Sequence, residues 1–315
     1  MAIPPSLSKS SMIRDVWADN LEAEFANIRE LVQHYPFVAM DTEFPGVVAK
    51  PVGTFRTTHE FYYQTLKCNV NLLKIIQLGI SLVNERGEVP DQCCTWQFNF
   101  KFSLSDDIYA QDSIDLLKNG GINFEHFRQY GVDITHFAEL LITSGLVLNP
   151  DVTWLAFHSG YDFGYIVKAV MGKDLPDRED EFGHVFHLFF PSVYDIKYLL
   201  RHTELSHTLG LDALGDILGV RRIGTAHQAG SDSLLTGHIF FKLMKERFDS
   251  KLPPMGRGVV YGLAEDAASN ATPGGGSAGE RSSPSLAQSP LSAGAAFPST
   301  PVTNLVMHGG TLPPV

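Results

Sequence analysis

The sequence predicts a mixed α/β domain, a β-sheet with parallel and antiparallel strands flanked by helices, followed by a disordered C-terminal tail. Three observations carry this. Two apolar runs, residues 75–83 (IIQLGISLV) and 95–102 (TWQFNFKF), are separated by the turn-rich NERGEV, the pattern of a strand hairpin. Further along, strand-like runs alternate with helical ones, which implies parallel strands joined by crossovers. From Glu265 the composition changes: residues 265–315 hold seven prolines and seven glycines, with Ser, Ala and Thr filling most of the rest.

In chain order, Phe37-Val38-Ala39-Met40 is a short apolar run ending at Asp41, as expected of a buried strand that delivers a functional end. The hairpin follows. Helical periodicity then dominates from about 106 to 146, punctuated by Gly120-Gly121 and Gly131. Residues 154–157 (WLAF) read as another buried strand, with a helix near 161–171. A short strand at 192–194 precedes a helical YLLRH, and helices near 211–218 and 231–245 close the domain. There is no internal repeat, so residues 1–264 read as one domain. The stretch TPGGGSAGERSSPSLAQSPLSAG cannot bury enough apolar surface to offset chain entropy, so 265–315 reads as a disordered tail.

The net charge of −11 over 315 residues argues against a protein that grips nucleic acid with a broad basic surface. It leaves room for an enzyme whose carboxylates bind metal. The only adjacent basic pair near the C-terminal helices, Arg221-Arg222, reads as part of a solvated loop in preference to a phosphate contact. No run of about 18 apolar residues predicts a transmembrane helix, and the N-terminus lacks the apolar stretch of a secretory signal. Cys68, Cys93 and Cys94 are odd in number and lack metal spacing, which fits a reducing compartment and core positions.

Four places put acids where a fold would expose them. Asp41 and Glu43 are two apart at a strand end, so both carboxylates share a face and repel unless a cation lies between them. Asp162, in HSGYDFGY, follows the WLAF strand in the first turn of a helix. His227 and Asp232 form H-x-A-x-x-D at the opening of the last long helix. Asp195, after a short strand, is expected to cap the helix that follows. Singly, each has a plainer explanation: Glu43 leaves the strand at Pro45-Gly46, Asp162 complements a helix dipole, Asp232 is an early helical residue and His227 a surface side chain. Together they describe an oxygen-rich ligand set that selects Mg²⁺ or Mn²⁺. Two such ions roughly 3.5–4 Å apart can activate a water and stabilise the departing oxygen of a phosphodiester. A histidine can take the proton of that water near neutral pH.

With these residues in order, the chain resembles the DEDDh exonucleases, and most closely the Caf/Pop-type deadenylase, the poly(A) ribonuclease subunit of the Ccr–Not complex. The runs that carry the resemblance are MDTEFPGVV, CNVNLLKIIQLGISL, FHSGYDFGY, PSVYDIKYL and HQAGSDSLLTG, over about residues 10–250. It implies a ribonuclease-H-like fold and a 3′→5′ exoribonuclease that shortens mRNA poly(A) tails and releases 5′-AMP. It implies Asp41, Glu43, Asp162 and Asp232 as ligands of two divalent ions, Mg²⁺ or Mn²⁺, with His227 as general base. In that scheme Asp41, Glu43 and Asp232 hold one ion, and Asp41 with Asp162 holds or supports the other.

Adenine preference follows from the resemblance alone. Phe44 and His158, beside the acid motifs, are candidate substrate contacts, because single-stranded RNA is bound by stacking on rings and by contacts to 2′-hydroxyls. Core packing for Phe44 and a satisfied hydrogen bond for His158 are the competing assignments. Implied partners are single-stranded RNA, the large scaffold subunit, a leucine-rich-repeat second nuclease and antiproliferative adaptor proteins. The implied location is the cytoplasm, extending to the nucleus. A docking subunit with little activity of its own, or an exonuclease acting on other RNA or DNA, are the alternatives.

Overall fold

The structure, a computed structural model, describes residues 12–263. The tail expected over 265–315 therefore lies outside the described residues. The elements run in the order β1 Ile13–Val16, α1 Leu21–Leu31, β2 Phe37–Glu43, α2 Thr58–Leu72, β3 Gln77–Val83 and β4 Thr95–Asn99. They continue with α3 Gln111–Asn119, α4 Phe124–Tyr130, α5 Ile134–Ile142, β5 Thr153–Ala156, α6 Gly160–Met171 and α7 Glu179–Phe189. The last are β6 Val193–Asp195, α8 Ile196–Leu199, α9 Leu211–Leu218 and α10 Ala229–Arg247.

The six strands form one sheet in the order β1-β4-β3-β2-β5-β6. Strands β2, β3 and β4 are antiparallel neighbours, whereas β5 and β6 continue parallel to β2, and β1 lies parallel to β4 at the far edge. This is the mixed sheet expected. The expected hairpin joins β3 to β4. Its turn is closed by Asn84, whose Oδ1 accepts from the backbone N–H of Arg86 and Glu88 at 2.9 Å each.

Alternation along the central strands sorts the side chains into two cores. Val38 and Met40 of β2, Leu78, Ile80 and Leu82 of β3, and Trp96 and Phe98 of β4 pack in one cluster with Phe25 of α1, Phe137 of α5 and Phe163 of α6. Phe37 and Ala39 of β2 join the other cluster, with Leu214 of α9 and Leu235, Ile239 and Phe240 of α10. By the same period of two, Asp41 and Glu43 continue the α10 face of β2, with Gln77, Gly79 and Ser81 of β3 beside them on that face. The α10 face is thus apolar along one half and polar along the half where the helix begins.

Gly79 makes that docking possible. A Cβ built there would lie 1.9 Å from the carbonyl oxygen of Ala229 and 2.7 Å from the nitrogen of Gly230, so the start of α10 rests directly on the backbone of β3. Gly79 pairs across the sheet with Asp41. The approach that only glycine permits is therefore level with the first acid. Farther along, Ser233 Oγ lies 2.9 Å from Ser81 Oγ.

The expected helical stretch is three helices, broken at its glycine punctuation: Gly120 caps α3, Gly121 adopts φ +96°, and α4 ends at Gly131. Three differences from the sequence expectation are physical. β4 ends at Asn99, where its bonding is shared: Asn99 O accepts from Val132 N–H at 2.8 Å, while Phe100 N–H still donates to Ile76 O at 2.9 Å. β3 starts at Gln77, two residues later than expected, although Ile76 N–H still donates to Glu43 O at 2.9 Å. β1, α1, α2 and α7 lie outside the expected elements. β1 is a four-residue edge strand with two exposed charged residues, Arg14 and Asp15, and so lacks an apolar alternation to detect. α1, by contrast, buries Leu21, Phe25 and Ile28 at helical spacing, a signal that was present.

Gly79→Ala is expected to destabilise the fold by about 3 kcal/mol or more, because backbone has to move to admit the methyl group. Gly183→Ala, in α7, adds a Cβ that meets nothing within 4 Å and should stabilise by about 0.5–1 kcal/mol. Urea denaturation of the two variants beside the parent checks both signs.

Candidate active site

Glu43 does not leave the strand. It is the last residue of β2, paired with Gln77 and buried, so it shares a face with Asp41 two residues earlier. Asp232, in the first turn of α10, is brought over that same face by the Gly79 approach. Carboxylate oxygens of Asp41, Glu43 and Asp232 all lie within 4.8 Å of one another. Burial is the largest force pushing the Asp41 and Glu43 carboxyls well above their usual range, with the charges of Asp232 and Asp162 adding to it. Burial also raises Asp232, opposed first by Arg222 and then by the charge of His227. Three acids held this close in a buried setting suit a small divalent cation, and the all-oxygen donor set matches Mg²⁺ or Mn²⁺.

Asp162 is held differently. Thr42 lies between the two acids of β2 and so points to the opposite face. Its backbone N–H and its hydroxyl both donate to Asp162 Oδ1, at 2.9 and 2.6 Å. One carboxylate oxygen is thereby fixed to the strand that carries Asp41 and Glu43, and the other is left over. Burial pushes the Asp162 carboxyl up to about 6, against the lowering effect of the Thr42 hydrogen bonds. Asp162 interacts electrostatically with Asp41 and Glu43 but stands outside the tight three-acid group.

Asp195 has the capping role expected of it. Fully buried, it accepts from Lys197 N–H at the start of α8, and also from the N–H groups of His158, Ser159 and Tyr261. It thus ties the turn before α6 to the chain near its described end, and is structural.

His227 sits half-buried in the loop before α10, with φ +62°. The next residue, Gln228, fixes that loop. Its Oε1 accepts from Gln77 Nε2 at 3.0 Å and Gln97 Nε2 at 3.1 Å, and its Nε2 donates to Gly120 O at 2.8 Å. The Gln77 and Gln97 side chains also accept from Ala229 and Gly230 N–H at 3.2 and 3.0 Å, capping α10 where Gln228 makes no side-chain cap itself. Sequence reasoning missed these glutamines, although their alternate positions on β3 and β4 place them on the α10 face.

Phe44 is half-buried, stacked on Tyr161 with centroids 5.2 Å apart, and packs against the core. His158, at φ +60°, meets the Tyr261 ring edge-on at 5.0 Å. The Arg221-Arg222 expectation needs correction. Arg221 is exposed, but Arg222 turns inward to pair with Asp232 at 2.5 Å and Asp212 at 2.7 Å, because two acids on α9 and α10 flank its loop. The three cysteines are free thiols, Cys93 and Cys94 buried. Among the described residues no helix is long and apolar enough to cross a membrane.

The CAF1 family ribonuclease pattern matches residues 16–139 and 132–223. The poly(A) ribonuclease pop2 of Schizosaccharomyces pombe is 49% identical over 256 residues, covering 81% of this chain and 76% of the relative. The solved structure of S. pombe Pop2p in its Mg²⁺- and Mn²⁺-bound form matches with a TM-score of 0.79 at 49% identity, covering 80% of this chain and 100% of that one. A structure of the yeast NOT1 MIF4G domain co-crystallised with CAF1 matches with a TM-score of 0.67 at 34% identity, covering 83% of this chain and 100% of that one.

The raised Asp162 carboxyl sets a pH dependence. A carboxyl with a folded-state value above its unfolded one contributes stability that is complete below about pH 4 and is lost as pH rises through about 6. Asp162→Asn keeps an oxygen acceptor for Thr42 and removes the charge. In EDTA it should match wild-type thermal stability near pH 4 and exceed it above pH 7, by no more than about 3 kcal/mol. A difference that does not change with pH would contradict the assignment.

Proposed function

The chain belongs to the CAF1 ribonuclease family, and we propose on that premise that it is a metal-dependent 3′→5′ exoribonuclease that shortens poly(A) tails and releases 5′-AMP. The observation that carries the proposal is the convergence of Asp41, Glu43 and Asp232 within 4.8 Å on one face of the sheet. That pattern joins the central strand to the last helix, and it is the one the sequence motifs led us to expect. The Mg²⁺- and Mn²⁺-bound Pop2p relative supports the same ions here. The name of the pop2 relative supports the poly(A) substrate.

In this mechanism Asp41, Glu43 and Asp232 hold one divalent ion, and Asp41 with the oxygen of Asp162 left free by Thr42 supports a second. Bound ions would supply positive charge to the scissile phosphate and lower the pKa of the attacking water. The imidazole of His227 takes the proton of that water as it attacks phosphorus in line with the departing 3′-oxygen. Thr42 keeps Asp162 oriented throughout, since both of its donors engage one oxygen. The glutamine network holds the backbone that follows His227, from Gln228 to Gly230, so that the loop carrying the base is fixed when substrate arrives. Ser159 and His158 keep the turn before α6 fixed through Asp195.

The scaffold partner is part of the same proposal: the chain docks a NOT1-type MIF4G domain within a Ccr–Not assembly. The CAF1 relative co-crystallised with that domain supports this.

Two 5′-labelled RNAs test the activity, one ending in an A-tract and one whose A-tract is followed by non-A residues. With Mg²⁺ or Mn²⁺ the first should shorten one nucleotide at a time from its 3′ end, the second should stall at its non-A end, and chelator should stop both. Equal digestion of the two would remove the adenine preference. Asp41→Ala should lower the rate at least ~10²-fold, given the several kcal/mol that metal stabilisation supplies. A variant at full rate would overturn the site.

A further inference from the structure

Arg222 stands beside the acid cluster, and the mechanism above gives it no part. Its side chain is only 16% exposed, and each guanidinium nitrogen has an acceptor. Nε and Nη2 donate to Asp212 Oδ1 at 2.8 and 2.7 Å, while Nη1 donates to Asp232 Oδ1 at 2.5 Å and to Ser231 Oγ at 3.0 Å. Ser231 in turn donates from Oγ to Ile223 O at 2.8 Å. The loop between α9 and α10 is pressed onto that corner: a Cβ at Gly224, where φ is +93°, would meet Ser231 Cβ at 3.0 Å. The arginine is therefore anchored from behind by α9 and by its own loop, and presents one donor to one oxygen of an acid in the cluster.

We propose that Arg222 is a positioning residue of the metal site, which orients the Asp232 carboxylate and leaves Oδ2 as its cation-binding oxygen. The proposal rests on the metal-site assignment made above. An aspartate χ2 torsion is broad and roughly two-fold, so the carboxylate plane is set by its hydrogen bonds more than by its rotamer. A planar guanidinium held at two nitrogens by Asp212 fixes the direction of the third, which a lysine ammonium cannot do. Partners of this kind, one step removed from the metal, typically contribute 10–100-fold to metal affinity.

The opposite role is also well defined. A cation at Asp232 that acted only through its charge would compete with a metal ion, and its removal would tighten binding. The sign of the change decides between the two.

The test is a titration of the full chain with Mn²⁺, following the loss of the free-ion electron paramagnetic resonance signal. Wild type is compared with Arg222→Gln, Arg222→Lys and Asp212→Ala, and with Asp232→Ala as the ligand-loss control. We expect Arg222→Gln to bind Mn²⁺ about 10–100-fold more weakly, with Arg222→Lys restoring only part of the affinity because it keeps the charge and loses the fork. RNA-cleavage rates should recover toward wild type in Arg222→Gln when Mn²⁺ is raised, so that the metal requirement shifts and the saturated rate does not.

Unchanged or tighter Mn²⁺ binding by Arg222→Gln would overturn the proposal and make the arginine a competing counter-ion. If that variant does not fold, Asp212→Ala decides, since it removes the oxygen that anchors the guanidinium and the Asp212 side chain is 60% exposed. It should weaken Mn²⁺ binding while retaining the arginine, and an unchanged affinity would overturn the proposal. Failure of the wild type itself to bind Mn²⁺ would overturn the metal site, and the arginine's role with it.

Discussion

The contact on which the rest of the site depends is between two stretches of backbone: β3 at Gly79 and the first turn of α10 at Ala229-Gly230. Any side chain at position 79 would push the helix off the sheet. With glycine there, the helix start lies level with Asp41, its first N–H groups reach Gln77 and Gln97, and Asp232 arrives over the two acids of β2. Packing and chemistry therefore share one constraint. The apolar half of α10, with Leu235, Ile239 and Phe240, fixes the helix on the sheet, and the polar half brings Asp232 to the other two acids.

Electrostatics then explains how the carboxylates divide their work. Burial raises the proton affinity of Asp41, Glu43 and Asp232, and the charge of Asp232 adds to it at the two acids of β2, which makes the corner receptive to a divalent cation as well. Asp162 is drawn away from that group by the two Thr42 donors, which take one of its oxygens. Asp195 has nearly as suggestive a place at a strand end, yet it is saturated by backbone N–H groups from three separate segments and has no capacity left for a ligand. Hydrogen-bond saturation separates a structural acid from a candidate metal ligand here more sharply than burial does.

Much of this was legible in the chain. The period of two in FVAMDTE places both acids on one face, and the helical stripe after Asp232 identifies α10, because each pattern is local. The hairpin turn at Asn84 and the break at Gly120-Gly121 follow from turn chemistry. What the sequence hid is non-local. Arg222 looked like half of a solvated basic pair, and its inward turn depends on where α9 places Asp212 relative to Asp232. The glutamines of β3 and β4 hold alternate positions that face α10, but nothing local names their partners, which lie about 130–150 residues away at the start of that helix. β1 was lost because an edge strand of four residues with two charges carries no apolar alternation.

The most direct measurement is the anomalous scattering of a Mn²⁺-soaked crystal of this protein. The account predicts a peak bounded by the carboxylates of Asp41, Glu43 and Asp232, with α10 still seated on Gly79. Ordered carboxylates with no peak among them at saturating Mn²⁺ would contradict it.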